Sequence, residues 1–315
     1  MPGAKCIFIV GCWNDLFADK PNIRNYYVYF IGIDYGGFDM TNPNEVAHHY
    51  HSGHLLKRIS DGCTALDLSP PISHDALAPV DEFHIGGRLA TEPFVKALGL
   101  SPASQVVDFG CGLGGPARYV AAATGAHVTG VDLTAEFVEA GRALTEWTGL
   151  SDRVQLIEGS VLELPLEAES MDAAYMIHVG MNIADKEGIA REAKRVLKPG
   201  GIFAIYDVMQ VGEGQMDYPA PWASSSDQSA LAAPETYEAA LKSVGFEVSD
   251  RIDRTAFAKQ FFAHLAAAQS QSDGPPPLGL HLIMGEDTAL KVQHMVRNIE
   301  RGLIAPIEIH ARLKV

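Results

Sequence analysis

The chain has 315 residues, 47% of them hydrophobic, which is enough to bury the core of one large domain. Its formal net charge is −15 and it has no dense basic run, which argues against nucleic acid and an anionic membrane surface as partners. The four cysteines are far apart and form no Cys-x-x-Cys pair, which argues against a zinc knuckle or a disulfide framework and favours a cytoplasmic location.

The N-terminal part of the chain divides near Met40. Residues 1–39 are rich in aromatic residues and glycine but show no sustained helical or strand period, and no apolar run there is long enough to span a bilayer. We expect them to be an extension that adds little to the fold, with Met40 as the functional start. Residues 44–60 are predicted to form a helix, followed by a proline-rich loop over 67–79 and a second helix that ends near Ala97.

Four histidines lie in the first of these helices. Because no cysteine or acidic residue lies within the cluster, a solvated or lid-forming helix is favoured over a metal site. The histidines are His48, His49, His51 and His54.

Strands and helices alternate from residue 99 onward, which predicts a parallel sheet covered on both faces. Strands are expected at 105–109, 127–131, 153–158, 172–177, 202–207, 246–252 and 305–312, and helices at 115–123, 135–148, 186–196, 234–244, 256–269 and 287–301. The predicted fold class is α/β, with a Rossmann-like, seven-stranded, mostly parallel sheet that ends in an antiparallel pair. Residues 99–315 would form this domain, with cap elements near 209–233 and 255–303, and residues 40–98 would precede it, beginning with a helical lid.

A nucleoside-binding pattern starts at the first of these strands. The strand runs into a glycine-rich turn, Val106-Val-Asp-Phe-Gly-Cys-Gly-Leu-Gly-Gly115, and the next apolar run ends in Asp132, 22 positions after Gly110. Glycines let the main chain approach a ligand closely, and a carboxylate at the next strand end can accept hydrogen bonds from ribose hydroxyls. The turn alone is a weak signal, and Asp132 in register makes it specific for a nucleoside.

The chain resembles the class I S-adenosylmethionine-dependent methyltransferases over about residues 44–315. The motifs that match are the glycine-rich turn, Gly130-Val-Asp-Leu-Thr134, Gly159-Ser-Val-Leu-Glu-Leu-Pro-Leu166 and Arg195-Val-Leu-Lys-Pro-Gly-Gly201. Within that class, Asp81-Glu-Phe-His-Ile-Gly-Gly87 and His178-Val-Gly-Met-Asn-Ile-Ala-Asp-Lys186 are similar to the group that includes sarcosine/dimethylglycine N-methyltransferases.

This resemblance implies a site for the cofactor S-adenosyl-L-methionine. Asp132 would bind the ribose diol, Leu133 would pack on the adenine, and Ser160 and Val161 would flank the adenine edge. The family usually has aspartate at the Ser160 position, and a hydroxyl accepts a hydrogen bond from the adenine amino group more weakly than a carboxylate. The resemblance also implies that residues 40–98 combine the lid with a segment that meets the amino acid tail of the cofactor. The implied cofactor-binding residues are His84, Gly86, Gly87, Asp108, Gly110, Gly112, Gly114, Asp132, Leu133, Ser160, Val161 and His178.

Four further residues are candidates for catalysis or acceptor binding. His178 follows the fourth strand at the carboxyl edge of the sheet, where a base is expected, although it could equally shape the cofactor pocket. The resemblance implies that Tyr50 on the lid faces His178, with ordinary packing as the alternative. Trp222 could stack on an acceptor or anchor its loop, and Arg118 is a candidate for binding an acceptor carboxylate.

The predicted function is S-adenosylmethionine-dependent methyl transfer to a small-molecule acceptor. The nitrogen atom of a glycine-type amine is the most concrete acceptor. C- or O-methylation of an aromatic or isoprenoid metabolite is the alternative, and a nucleotide-dependent oxidoreductase or a non-catalytic ligand-binding paralogue stay open. We expect no metal, no nucleic acid or membrane partner, and a monomer or homodimer.

Overall fold

The computed structural model describes residues 54–270 and 274–315, and these contain one seven-stranded sheet. The strand order is β3-β2-β1-β4-β5-β7-β6, and all neighbours are parallel except β7, which is antiparallel to both β5 and β6. The strands are β1 (Gln105–Phe109), β2 (His127–Asp132), β3 (Val154–Glu158), β4 (Met171–Ile177), β5 (Leu197–Gln210), β6 (Phe246–Asp253) and β7 (Ile304–Leu313). The predicted Rossmann-like sheet with an antiparallel final pair is therefore confirmed.

Helices cover both faces of this sheet, as the sequence predicted. One face packs on α3, α4 and α5 through a cluster that includes Phe94 and Val120, and the other packs on α6 and α7 through Ile189 and Leu241. The helices of the described residues are α1 (Leu55–Ala65), α2 (His74–Asp81), α3 (Arg88–Ala97), α4 (Gly115–Thr124), α5 (Ala135–Trp147), α6 (Lys186–Val196), α7 (Pro234–Ser243), α8 (Thr255–Gln269), α9 (His281–Met284) and α10 (Thr288–Glu300).

The structure corrects the proline-rich loop that was expected over 67–79. Its second half begins α2, because Ser73 caps the helix by accepting a hydrogen bond from the Asp75 amide at 3.2 Å. Pro79 lies inside this short helix, whose Leu77 and Val80 are completely buried. Burial of these apolar residues stabilises a helix that composition alone did not predict.

A cap of apolar residues covers part of the carboxyl edge of the sheet. Trp222, Met295 and Ile299 pack there with Ile85 and Met181, so the 209–233 connection and α10 share one hydrophobic cluster. A search of the described helices finds none with the length and apolar character needed to cross a membrane.

Candidate active site

A cavity of about 1440 Å³ lies at the carboxyl ends of β1, β2 and β4. Open α/β sheets bind ligands at this edge. Typical single-ligand pockets measure roughly 300–1,000 Å³, so the volume is enough for two small molecules side by side. The polar wall is built by the loops after these strands, and the apolar wall is built by the cap.

The glycine-rich turn forms the floor of the cavity. Gly110, Gly112 and Gly114 have φ angles of 73°, 52° and 77°, a left-handed conformation that residues with a Cβ rarely adopt. A Cβ on Gly110 would collide with the side chain of Val179, whereas one on Gly112 would meet no atom of the described residues within 4 Å. The bare main chain at Gly112 therefore leaves open space beside it for a ligand.

Asp132 is held against this turn by two backbone amides. Its Oδ2 accepts a hydrogen bond from the Gly112 amide at 2.8 Å, and its Oδ1 accepts one from the Thr134 amide at 2.9 Å. Burial raises the pKa of Asp132, while these two hydrogen bonds oppose the rise. A carboxylate oxygen can accept more than one hydrogen bond, so this arrangement leaves capacity for the ribose diol that the sequence predicts.

Asp108 lies at the end of β1 below the same turn. Its Oδ2 accepts a hydrogen bond from the Tyr175 hydroxyl at 3.0 Å, and burial raises the pKa of Asp108 to about 8. A cation bound beside this carboxyl would favour its ionised form. The predicted cofactor carries two positive groups, a sulfonium and an ammonium, so a carboxyl group at this position fits it.

The residues predicted to surround the adenine line one side of the cavity. Leu133, Ser160 and Val161 are all part of its wall. The Ser160 Oγ accepts a hydrogen bond from the Leu162 amide at 3.2 Å. The structure thus brings the predicted adenine contacts together with Asp132.

Two histidines lie side by side at the centre of the cavity. The His178 ring lies 5.9 Å from the His84 ring, measured between centroids, and the buried Nε2 of His178 has no hydrogen-bond partner in the described residues. His178 has a left-handed backbone with φ of 53°, and its amide donates to the Tyr206 carbonyl at 2.7 Å. Burial lowers the pKa of His178 well below its usual value, so the ring is neutral near pH 7.

His84 belongs to the segment that the resemblance places near the cofactor tail. It lines the cavity together with Gly86 and Gly87, and burial lowers its pKa to about 4. The adjacent Glu82 is also buried and binds the Arg88 guanidinium, with Oε1 2.7 Å from Nε. Glu82 was not among the residues predicted from sequence, although its position next to the Phe-His-Ile-Gly-Gly motif is a signal that could have included it.

Arg118 does not occupy the place that was predicted for it. Its guanidinium is completely buried and pairs with Asp81, with Nη2 2.6 Å from Oδ2. It is absent from the cavity wall in the described part of the chain. A buried arginine needs a nearby negative charge as its partner. This guanidinium is paired with Asp81 and does not bind an acceptor carboxylate in this structure. Tyr50, the predicted partner of His178, lies outside the described residues.

Trp222 lines the apolar half of the cavity and also anchors its own loop. It is 1% exposed, and its indole Nε1–H donates to the Ser229 hydroxyl at 2.9 Å. Both roles that the sequence left open are therefore compatible with its position. The apolar half also includes Phe261, Phe262, Leu265, Leu280, Leu282, Ile283, Val292 and Met295.

Comparisons with known proteins match the same part of the chain. Residues 107–205 match the methyltransferase domain family. A sterol 24-C-methyltransferase, ERG6B of Gibberella zeae, is 41% identical over 110 residues, which cover 35% of this chain and 29% of that protein. The chain spans less than half of the length of the curated relatives it matches.

Two solved structures have the same fold. Geranyl diphosphate C-methyltransferase of Streptomyces coelicolor A3(2), in complex with Mg2+, geranyl diphosphate and S-adenosyl-L-homocysteine, is 20% identical, with a TM-score of 0.57 over 71% of this chain and 78% of that chain. A putative sarcosine dimethylglycine methyltransferase of Galdieria sulphuraria is 20% identical, with a TM-score of 0.55 over 71% and 83%.

These comparisons show a methyltransferase domain over residues 107–205, and the two solved structures show that the chain around it has the same fold. They argue against the nucleotide-dependent oxidoreductase that the glycine-rich turn alone had left open.

Proposed function

We propose that this protein transfers a methyl group from S-adenosyl-L-methionine to a largely apolar small molecule. The observation that carries the proposal is the division of the cavity into a polar half, around Asp132 and the glycine-rich turn, and an apolar half under the cap. The polar half suits the adenosine and amino acid parts of the cofactor. The apolar half is left for the methyl acceptor.

The charged residues of the cavity wall argue against an anionic acceptor. In the described ranges, no lysine lines the cavity, and its two arginines are held by protein oxygens. Arg58 donates to the Leu282 carbonyl at 3.0 Å, and Arg88 donates from Nε to Glu82 and from Nη1 to Asp75, which leaves only its buried Nη2 without a partner in the described residues. A glycine-type amine would need a cation to bind its carboxylate. We therefore favour the apolar acceptor over the glycine-type amine considered from the sequence.

The cofactor site would be formed by residues already near each other. Asp132 would accept from the ribose hydroxyls, Leu133 and Val161 would enclose the adenine, and Ser160 would accept from its amino group. Asp108 would lie beside the positive charge of the cofactor tail. The sterol methyltransferase relatives support the apolar acceptor only by analogy, because a sterol is a largely apolar molecule.

The bound cofactor supplies an electrophilic methyl group on a sulfonium, and in the transfer the acceptor's electron pair forms the new bond while the S–C bonding pair returns to sulfur. The protein's part is first to align the acceptor, because positioning alone supplies roughly 7–11 kcal/mol in favourable cases. The apolar walls also exclude water from the reacting atoms. The neutral imidazoles of His178 and His84 line the cavity and can each take a proton.

The direct test is an acceptor panel on the full chain. Farnesol, a sterol with an unsaturated side chain, indole, glycine and sarcosine would each be incubated with the protein and methyl-labelled cofactor, and S-adenosylhomocysteine and methylated product would be measured. We expect turnover with an isoprenoid or sterol probe and none with glycine or sarcosine. Turnover confined to glycine or sarcosine would contradict the apolar acceptor, and cofactor binding without product from any probe would favour the non-catalytic paralogue.

A further inference from the structure

A buried chain of hydrogen bonds joins a carboxylate to an imidazole at the centre of the cavity. The Thr91 hydroxyl donates to Glu82 Oε2 at 2.6 Å, and the Thr91 Oγ1 lies 3.0 Å from the Nε2 of His84. The side chains of Glu82 and His84 are 1% and 2% exposed, and Thr91 is completely buried. Buried polar residues in such a chain hold one another in fixed orientations.

This chain determines which nitrogen of His84 carries the hydrogen. The Gly87 carbonyl lies 3.1 Å from Nε2 and can only accept a hydrogen bond, so Nε2 must donate. The Thr91 hydroxyl gives its own hydrogen to Glu82, and its oxygen therefore accepts from Nε2 as well. Neutral His84 is thus the Nε2–H tautomer, and its Nδ1 keeps a lone pair that no hydrogen bond to a described residue occupies.

The two cavity histidines differ in what would stabilise their protonated forms. The Nε2 of His84 lies 3.5 Å from Glu82 Oε2, so a carboxylate stands close to the charge that protonation would create. The charged group that acts on His178 is His84, whose positive charge disfavours the imidazolium form of His178. The other groups that act on His84 are Arg88, which opposes its protonation, and Asp81, which favours it.

We propose that His84, and not His178, accepts the proton that the methylated acceptor loses, and that Glu82 and Thr91 orient it for this role. The inference rests on the proposed function. After the new carbon bond forms, the acceptor carries the positive charge; its adjacent C–H, O–H or N–H proton passes to Nδ1 of His84, and the bonding pair of that hydrogen neutralises the acceptor. The resulting imidazolium is stabilised by Glu82 and returns its proton to solvent after product release.

A weak base is sufficient for this step because a methylated cation is a strong acid. The pKa of His84, near 4, keeps the ring unprotonated and available throughout the neutral pH range. Thr91 and Glu82 act through His84, so they are positioning residues, and of these three residues only His84 touches the acceptor.

The tautomer is tested first, on the full chain labelled with ¹⁵N-histidine. Long-range ¹H–¹⁵N spectra assign the protonated nitrogen of each imidazole without any cofactor or acceptor, and His84→Gln identifies the His84 signals. We expect an Nε2–H tautomer with an unprotonated Nδ1 between pH 6 and 8. A hydrogen on Nδ1 of His84 in this range would overturn the proposal.

Turnover is tested next with Thr91→Val, which keeps the shape of the side chain but removes the hydroxyl. With the best probe of the acceptor panel, we expect kcat to fall at least 10-fold, which is less than the roughly 10²–10⁴-fold effect of losing the proton acceptor itself, because Thr91 only positions it. The acid limb of the pH profile should also move to a different pH. The calorimetric Kd of the cofactor should change less than 2-fold, and Thr91→Ser should restore kcat. An unchanged kcat and pH profile in Thr91→Val would overturn the proposal.

If Thr91→Val does not fold, chemical rescue by imidazole distinguishes which of the two histidines accepts the proton. Imidazole added to His84→Ala should restore turnover, and imidazole added to His178→Ala should not. Rescue of His178→Ala alone would assign the proton to His178 and overturn the proposal while leaving methyl transfer intact. If the wild-type chain forms no S-adenosylhomocysteine with any probe, the proposed function itself fails, and with it the role of His84.

Discussion

Arg118 on α4 donates from Nη2 to Oδ2 of Asp81 on α2 over 2.6 Å, and both side chains are buried from solvent. The other terminal nitrogen of Arg118 donates to the Gly141 carbonyl at 3.2 Å and to the Thr145 hydroxyl at 3.0 Å, both on α5. One guanidinium therefore fixes three helices around the wall of the cavity. Its role is to hold the site in shape.

Replacing Arg118 by methionine should destabilise the fold strongly. The substitution leaves the Asp81 carboxylate buried without its partner, and breaking a buried pair in this way costs about 3–5 kcal/mol. Urea denaturation of Arg118→Met would show the loss, and adding Asp81→Asn should recover part of it. If Arg118→Met were as stable as the wild type, the pair would not hold these helices together.

The stability of the protein should depend on pH through His84. Burial lowers the pKa of His84 from 6.5 to about 4, so the unfolded chain binds the proton more readily than the folded one between these values. The stabilisation by neutral His84 is complete above pH 6.5 and is lost as the pH falls towards 4. Between pH 7 and pH 5 we expect the wild type to lose about 2 kcal/mol more than His84→Gln.

This dependence would be measured as the free energy of unfolding in urea at pH 5, 6 and 7. His264→Gln is the control, because His264 lies exposed on α8. The control should show the wild-type dependence on pH. An identical dependence in His84→Gln and wild type would mean that folding does not perturb His84.

Much of the sheet could be predicted from the sequence because strands such as β1 and β4 are short, mostly apolar and buried along most of their length. The pattern placed β1 at the observed residues, and α6 also agrees with its predicted bounds. The helix α2 was not predicted because Pro79 and the neighbouring prolines indicate a loop. In the structure, burial of Leu77 against other helices stabilises the helix. Local propensity does not include such tertiary contacts.

The cofactor half of the site was predictable for a related reason. Asp132 and the glycine turn are close in sequence to strand ends, and strand ends of a parallel sheet meet at one edge. The role of Arg118 was not predictable, because its partner Asp81 lies 37 positions away on another helix. The same holds for Thr91, since only the folded chain brings its hydroxyl onto both Glu82 and His84.

Ser160 should be a position at which cofactor affinity can be increased. A hydrogen bond to a carboxylate is roughly twice as strong as one to a neutral acceptor, so Ser160→Asp should bind S-adenosyl-L-methionine about 5-fold more tightly. Ser160→Asn matches the size of aspartate without its charge and serves as the control. Equal dissociation constants for the two variants in calorimetry would place the adenine amino group elsewhere.

Trp222 should affect acceptor binding more than cofactor binding. Trp222→Phe keeps an aromatic ring in the cap but reduces its apolar area, so KM for an apolar acceptor should rise about 5-fold at ~25 cal/mol per Å², with the cofactor Kd nearly unchanged. Trp147→Phe is the matched control, because Trp147 packs against the cluster around α1 and α5, away from the cavity wall. A similar rise in KM in both variants would show a general loss of packing.

The central claim is that Asp132 and the glycine-rich turn bind S-adenosyl-L-methionine, and isothermal calorimetry on the cofactor-free full chain tests it most directly. The account predicts heat of binding for the wild type and a Kd raised about 10–100-fold in Asp132→Asn, because hydrogen bonds to a charged group contribute about 1.5–3 kcal/mol. Circular dichroism would establish that the variant is folded. Absence of heat with the wild type, or equal affinity in the folded variant, would contradict the account.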